Sequence, residues 1–119
     1  ERFGTRLVVV LGHSRCGAIA ATIEALQAPD HQPSANLRSI VDRIRPSVEG
    51  LLETPLRNDL AALSRQAVRD NIRVSTTHLR NGSRVLEQLR MNDGLLVVGA
   101  EYCVETGVVD FFDGVPAED

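Results

Sequence analysis

The sequence predicts an α/β fold, a mostly parallel sheet flanked by helices. Three observations point there. Leu7-Val8-Val9-Val10-Leu11 is a run of five apolar residues, three of them valine, and such a run reads as a strand buried on both faces. Leu95 to Ala100 forms a second apolar run near the other end of the chain. Between the two, apolar residues recur at three- and four-residue steps, the helical period.

Each element follows from local chemistry. The first strand is expected over Arg6 to Leu11, with Gly12 permitting a sharp turn out of it. A first helix is expected over Arg15 to Gln27, carried by Ile19, Ile23 and Leu26 with alanines between them. Ala28 to Pro33 is bounded by proline and reads as a connector. Ser34 suits the N-cap of a second helix, whose apolar stripe is Leu37, Ile40, Val41, Ile44, Val48, Leu51 and Leu52. Pro46 removes one amide from that helix, so a kink or a break is expected there. A third helix follows Pro55, with Leu60, Leu63, Ala67, Ile72 and Leu79 on its inner face. Asn81-Gly82 ends it, and Ser83 caps a short fourth helix to about Met91. Asn92-Asp93-Gly94 turns into the strand Leu95 to Ala100, and Glu105-Thr106-Gly107 turns into a last strand, Val108 to Phe112. No internal repeat is visible, and the 119 residues read as a single domain.

The chemistry concentrates after the first strand, at Gly12-His13-Ser14-Arg15-Cys16-Gly17. In open α/β sheets, ligands bind at the carboxyl ends of strands, beside such strand-to-helix turns. Cys16 is expected in the first helical turn, where unpaired amides and the helix dipole favour negative charge. The thiolate is the form of cysteine that binds metal, and an imidazole and a thiolate both suit zinc. His13 and Cys16 are therefore the candidate metal ligands. The plainer readings are a space-filling cysteine and a hydrogen-bonded histidine at a strand end. His31, in the proline-bounded connector, reads as solvated, and His78 as a helix-face residue. Cys103 reads as incidental, and Asp110 and Asp113 are assigned no chemistry.

Composition narrows the function. Net charge is −3, which gives no electrostatic case for nucleic acid. All 13 basic residues are arginine, and Arg38, Arg43 and Arg45 read as a solvated helix face or as an interface that pairs with carboxylates. Two cysteines do not make a disulfide framework, and such usage fits a reducing compartment, so a cytoplasmic location is expected. No apolar run reaches transmembrane length. The turn lacks the several glycines and the lysine of a phosphate loop, and no base beyond His13 serves a nucleophilic Cys16.

Val9-Val10-Leu11-Gly12-His13-Ser14-Arg15-Cys16-Gly17-Ala18 resembles the second zinc-binding motif of the β-class carbonic anhydrases. The resemblance continues through Asn36 to Pro46 and Asn71 to Arg80, then Ser83 and Leu86. It reaches the family's last two strands in Gly94 to Tyr102 and Thr106 to Val109. The family's fold implies a β-carbonic-anhydrase-like sheet lacking its first strands. The implied activity is zinc-dependent, reversible hydration of carbon dioxide to bicarbonate. The implied zinc ligands in this chain are His13 and Cys16, and the backbone amide of Gly17 is implied as a contact for a bound oxyanion. The family's first cysteine ligand and its Asp/Arg dyad belong to an upstream Cys-x-Asp-x-Arg motif that does not occur here, so no catalytic residue of that dyad is identifiable.

Two explanations follow from that departure. The chain is either the C-terminal part of a longer carbonic anhydrase domain or a natural remnant, and the first is expected. The family implies a homodimer or a higher oligomer. The alternative function is a catalytically inactive carbonic-anhydrase-like binding or regulatory module, attached to an anion transporter as in some relatives. A related hydrolase acting on carbon disulfide or carbonyl sulfide at the same zinc turn also stays open.

Overall fold

A computed structural model describes residue 4 and residues 6–28, 34–92 and 94–116. In chain order these form β1 (Leu7–His13), α1 (Gly17–Gln27), α2 (Ala35–Leu52), a 3-10 turn (Pro55–Asn58), α3 (Leu60–Gly82), α4 (Arg84–Asn92), β2 (Leu96–Tyr102) and β3 (Val109–Asp113). The chain divides into two compact units, one of residues 14–71 and one of residues 1–13 with 72–119. His31 and most of the connector around it lie outside the described residues, as does Asp93 of the turn expected before β2. No helix among the described residues is long and apolar enough to cross a membrane.

In the helical unit, α1 packs on α2. Ile19, Ile23 and Ala25 of α1 are buried, as are Val41, Ile44 and Val48 of α2 and Leu63, Ala67 and Val68 of α3. These positions carry the helical period, so apolar spacing selects the buried stripe. Thr22 is fully buried among them, and its Oγ1 donates to the Ala18 carbonyl at 2.8 Å, which satisfies the hydroxyl inside the helix.

Several expectations for this unit need correcting. Helix α2 runs unbroken from Ala35 to Leu52 through Pro46. One lost amide does not end a helix whose buried residues Val41, Ile44 and Val48 lie on both sides of the proline. Ser34 stands at the N-cap, but its side chain makes no cap bond, and its carbonyl instead accepts from the Leu37 and Arg38 amides, both at 3.0 Å. Leu37 and Ile40 are exposed, because the first turns of α2 extend past the buried stretch that starts at Val41; Leu60 at the start of α3 is exposed too. Two caps not expected from the sequence shape the next link. Thr54 Oγ1 accepts from the Leu56 amide at 3.2 Å and starts the 3-10 turn, and Asp59 Oδ1 accepts from the Ala62 amide at 3.2 Å and starts α3.

In the strand unit the sheet order is β1-β2-β3. β1 pairs with β2 in parallel, with Val10 opposite Gly99 and His13 opposite Tyr102. β2 pairs with β3 antiparallel, with a bulge between Gly99 and Ala100. The sheet is therefore mixed. The expected burial of β1 on both faces is not met: Leu7, Val9 and Leu11 are exposed and the residues between them are half-buried. β1 has one neighbour among the described strands, whereas β2 has two. The continuously buried strand is accordingly β2, with Val97, Val98 and Ala100 all but closed to solvent.

Gly99 sets how closely α3 lies on this sheet. A Cβ at that position would stand 2.8 Å from Ile72 Cγ2, 3.3 Å from Thr76 Cγ2 and 3.2 Å from Asp113 Cβ. Only glycine admits that approach. The same patch carries a polar clamp. Arg80 donates to the Val97 carbonyl through Nη2 at 2.6 Å and Nε at 3.2 Å, and its Nη2 meets Asp113 Oδ2 at 3.2 Å. Thr76 Oγ1 donates to the same Asp113 oxygen at 2.6 Å. Arg73 lies over the Phe112 ring at 5.0 Å from its centroid. The clamp ties β3 to α3 across 33 and 37 residues of chain. Gly114 closes it: its φ is +71°, and a Cβ there would collide with the Arg80 guanidinium and the Val97 carbonyl.

Two stability measurements check this packing. Gly99→Ala lowers unfolding free energy in urea by about 1–3 kcal/mol, through overpacking. Gly50→Ala, in a helix with nothing near the added methyl, raises it by about 0.5–1 kcal/mol. Equal effects at both positions would remove the close-approach account. Arg80→Met leaves Asp113 and the Val97 carbonyl short of a donor and costs roughly 1–3 kcal/mol. Arg45→Ala costs about 0–1 kcal/mol, since Arg45 meets Asp42 and Glu49 at 3.8 Å on an open surface.

Candidate metal centre

His13 is the last residue of β1 and is exposed. The strand runs two residues beyond Leu11, the end expected for it, so Gly12 sits in the ladder opposite Glu101. Gly12 does not make the turn. The left-handed step falls on Arg15, whose φ is +55°, and Arg15 is the one non-glycine residue with positive φ among the described residues. Nothing in the sequence marked this position, because arginine has no special affinity for that conformation.

Cys16 is the N-cap of α1 rather than a residue of its first turn. Its backbone is extended, with φ −71° and ψ 119°, and its side chain makes no cap hydrogen bond. Its carbonyl accepts from the Ala20 amide at 3.1 Å and so starts the helix. The thiol is half-buried and not in a disulfide. Gly17 is the first residue of α1, exposed, with open space where a Cβ would stand. A first-turn amide has no partner within its own helix, so the Gly17 N–H is of the kind that binds an anion.

Imidazole and thiolate are the donors zinc prefers, and zinc sites take three or four ligands. His13 and Cys16 fit zinc in kind. They fall short in number, because among the described residues no group of three or more His, Cys, Asp or Glu side chains is placed to hold a metal ion. His78 is exposed on α3. Cys103 sits in the β2–β3 turn, where its amide donates to the Val108 carbonyl at 2.9 Å and its carbonyl accepts from the Gly107 amide at 2.8 Å.

A family model described as carbonic anhydrase matches residues 1–109. A carbonic anhydrase of Mycolicibacterium smegmatis is 50% identical over 42 residues, 35% of this chain and 20% of that protein. Carbonic anhydrase 1 of Escherichia coli O157:H7 is 29% identical over 115 residues, 90% of this chain and 47% of that protein. Among solved structures, the β-carbonic anhydrase CcaA superposes with a TM-score of 0.72 at 21% identity, covering 92% of this chain and 52% of that one. A tetrameric β-carbonic anhydrase from Sordaria macrospora gives a TM-score of 0.69 at 18% identity, covering 90% and 52%. These likenesses show the fold, a partial β-carbonic anhydrase domain. The chain spans about half the length of the relatives it matches along most of its own length.

Proposed function

The chain belongs to the carbonic anhydrase family, and from that premise we propose that its 119 residues are one part of a single zinc-dependent domain that hydrates carbon dioxide reversibly to bicarbonate and a proton. The observation that carries this reading is the donor pair at the carboxyl end of β1: His13 closing the strand and Cys16 capping the next helix, within the matched segment. When bound, zinc would supply a water acidified far below bulk water, to near neutrality, and hence hydroxide at neutral pH.

The chain's own residues have three roles in this proposal. His13 holds the metal through a ring nitrogen and Cys16 through its thiolate sulfur. The Gly17 amide, at the N-terminus of α1, donates to an oxygen of bicarbonate and orients it. A third protein donor and the groups that orient the reacting water come from outside the described residues, as the family resemblance implies. The tetrameric relative supports an assembled state, at least a homodimer. Neither cysteine is in a disulfide, which supports a reducing, cytoplasmic setting.

The shortage of donors favours a second reading, a carbonic-anhydrase-like module that binds or regulates without turnover. Activity separates the two. In the complete domain, His13→Ala and Cys16→Ala each remove most of the bound zinc and most of the stopped-flow hydration rate. If either variant keeps full zinc and full rate, the ligand assignment is wrong. If the unaltered domain binds zinc without hydrating carbon dioxide, the module reading stands.

A further inference from the structure

β3 covers only part of β2. Its ladder runs from Val109, opposite Tyr102, to Asp113, opposite Gly99, and the chain then leaves the sheet at Gly114, whose φ is +71°. Leu96, Val97 and Val98 lie on β2 past that point, and their outer edge has no strand beside it among the described residues. The direction of the backbone there follows from the inner edge. The Leu96 amide donates to the Arg6 carbonyl at 2.9 Å, on the β1 side. Backbone groups of successive strand residues point to opposite edges, so the Val97 carbonyl points outward, to the side that β3 has left.

An outward carbonyl on an apolar strand is where a further strand begins to pair. Arg80 occupies this one. Its Nη2 and Nε donate to the Val97 oxygen at 2.6 and 3.2 Å, and Asp113 Oδ2 stands 3.2 Å from Nη2. Thr76 Oγ1 donates to the same carboxylate oxygen at 2.6 Å, so the carboxylate that holds the guanidinium is itself held. The Arg80 and Asp113 side chains are only 21% and 22% exposed, which shields the pair from water. We propose that Arg80 is an edge cap: its guanidinium stands where β3 would pair had it continued, and it keeps a strand of a second copy of this chain from adding to β2. The cap involves no metal and is independent of the zinc reading.

The test is sedimentation velocity of the purified chain over a concentration series, with far-UV circular dichroism as the control for folding. Arg80→Met keeps an apolar stem and removes every donor. Its association sets in at a concentration about tenfold below that of the unaltered chain, the factor expected when one charged hydrogen bond at the edge is lost. Val48→Ala, at a fully buried position of the helical unit, destabilises without opening the edge and leaves the onset unchanged. Val115 is exposed just past Gly114. Adding Val115→Lys to Arg80→Met puts a charge beside the opened edge and returns the onset to that of the unaltered chain. The double variant keeps the net charge of −3, one positive charge being lost and one gained, so total charge does not account for the recovery.

An Arg80→Met chain whose onset matches that of the unaltered chain overturns the proposal. So does a Val48→Ala chain that associates as readily as Arg80→Met, because loss of stability alone would then suffice. Failure of Val115→Lys to reverse the association overturns it too, since the contact would lie elsewhere. If Arg80→Met fails to fold, Arg80→Lys decides. A single ammonium lacks the fork that meets Val97 and Asp113 together, so the onset must still fall, and an unchanged onset overturns the proposal.

Discussion

The strand unit depends on the bare backbone of Gly99. Ile72 of α3 stands 2.8 Å from where a Cβ would be, closer than a Cβ permits, and Thr76 stands at a tight 3.3 Å. That approach brings Arg80 within reach of the Val97 carbonyl and of Asp113, so β2 and β3 are both tied to the same face of α3. β2 in turn carries β1 through a parallel ladder in which Val10 faces Gly99. The position of His13 is thus set at one remove by a glycine on the neighbouring strand. Close packing of helix on sheet fixes where this candidate ligand stands, although none of the packing residues has chemistry of its own.

Much of this was legible in the sequence, and the reason is periodicity. The apolar steps of α1, α2 and α3 named most of their buried positions, because a helix can bury only one face. The two apolar runs gave both parallel strands. What escaped the sequence was mostly non-local. The Asp113–Arg80 pair joins residues 33 apart, and nothing near either one signals the other. The exposure of Leu7, Val9 and Leu11 likewise depends on how many strands flank β1, a property of the sheet and not of the run itself. Pro46 misled because a local rule about lost amides was outweighed by buried contacts on both sides of the residue.

The candidate site shows the same division. Residue types and spacing singled out His13 and Cys16, since imidazole and thiolate both suit zinc, and the family resemblance implied the Gly17 amide as a contact for an oxyanion. The backbone around them was less legible. Glycine at residue 12 suggested the turn, but hydrogen bonding to β2 keeps that residue extended, and the left-handed step moves on to Arg15. Where strand pairing competes with a glycine's freedom, the ladder sets the conformation.

In the proposed reading, the described residues would supply half of a zinc centre: His13 and Cys16 are donors of the right kind, and no group of three or more such side chains is placed to hold a metal among the described residues. Membership of the carbonic anhydrase family supplies the chemistry expected of the completed site, and a span of about half the length of its relatives is consistent with a donor contributed from elsewhere. The central claim is that these residues hold zinc only weakly by themselves. The most direct measurement is the zinc-to-protein ratio of the purified 119-residue chain by elemental mass spectrometry, after equilibration with zinc and dialysis. A ratio well below one zinc per chain is predicted. A ratio near one would contradict the half-site account, because it would require a third donor from these residues or from a second copy of them.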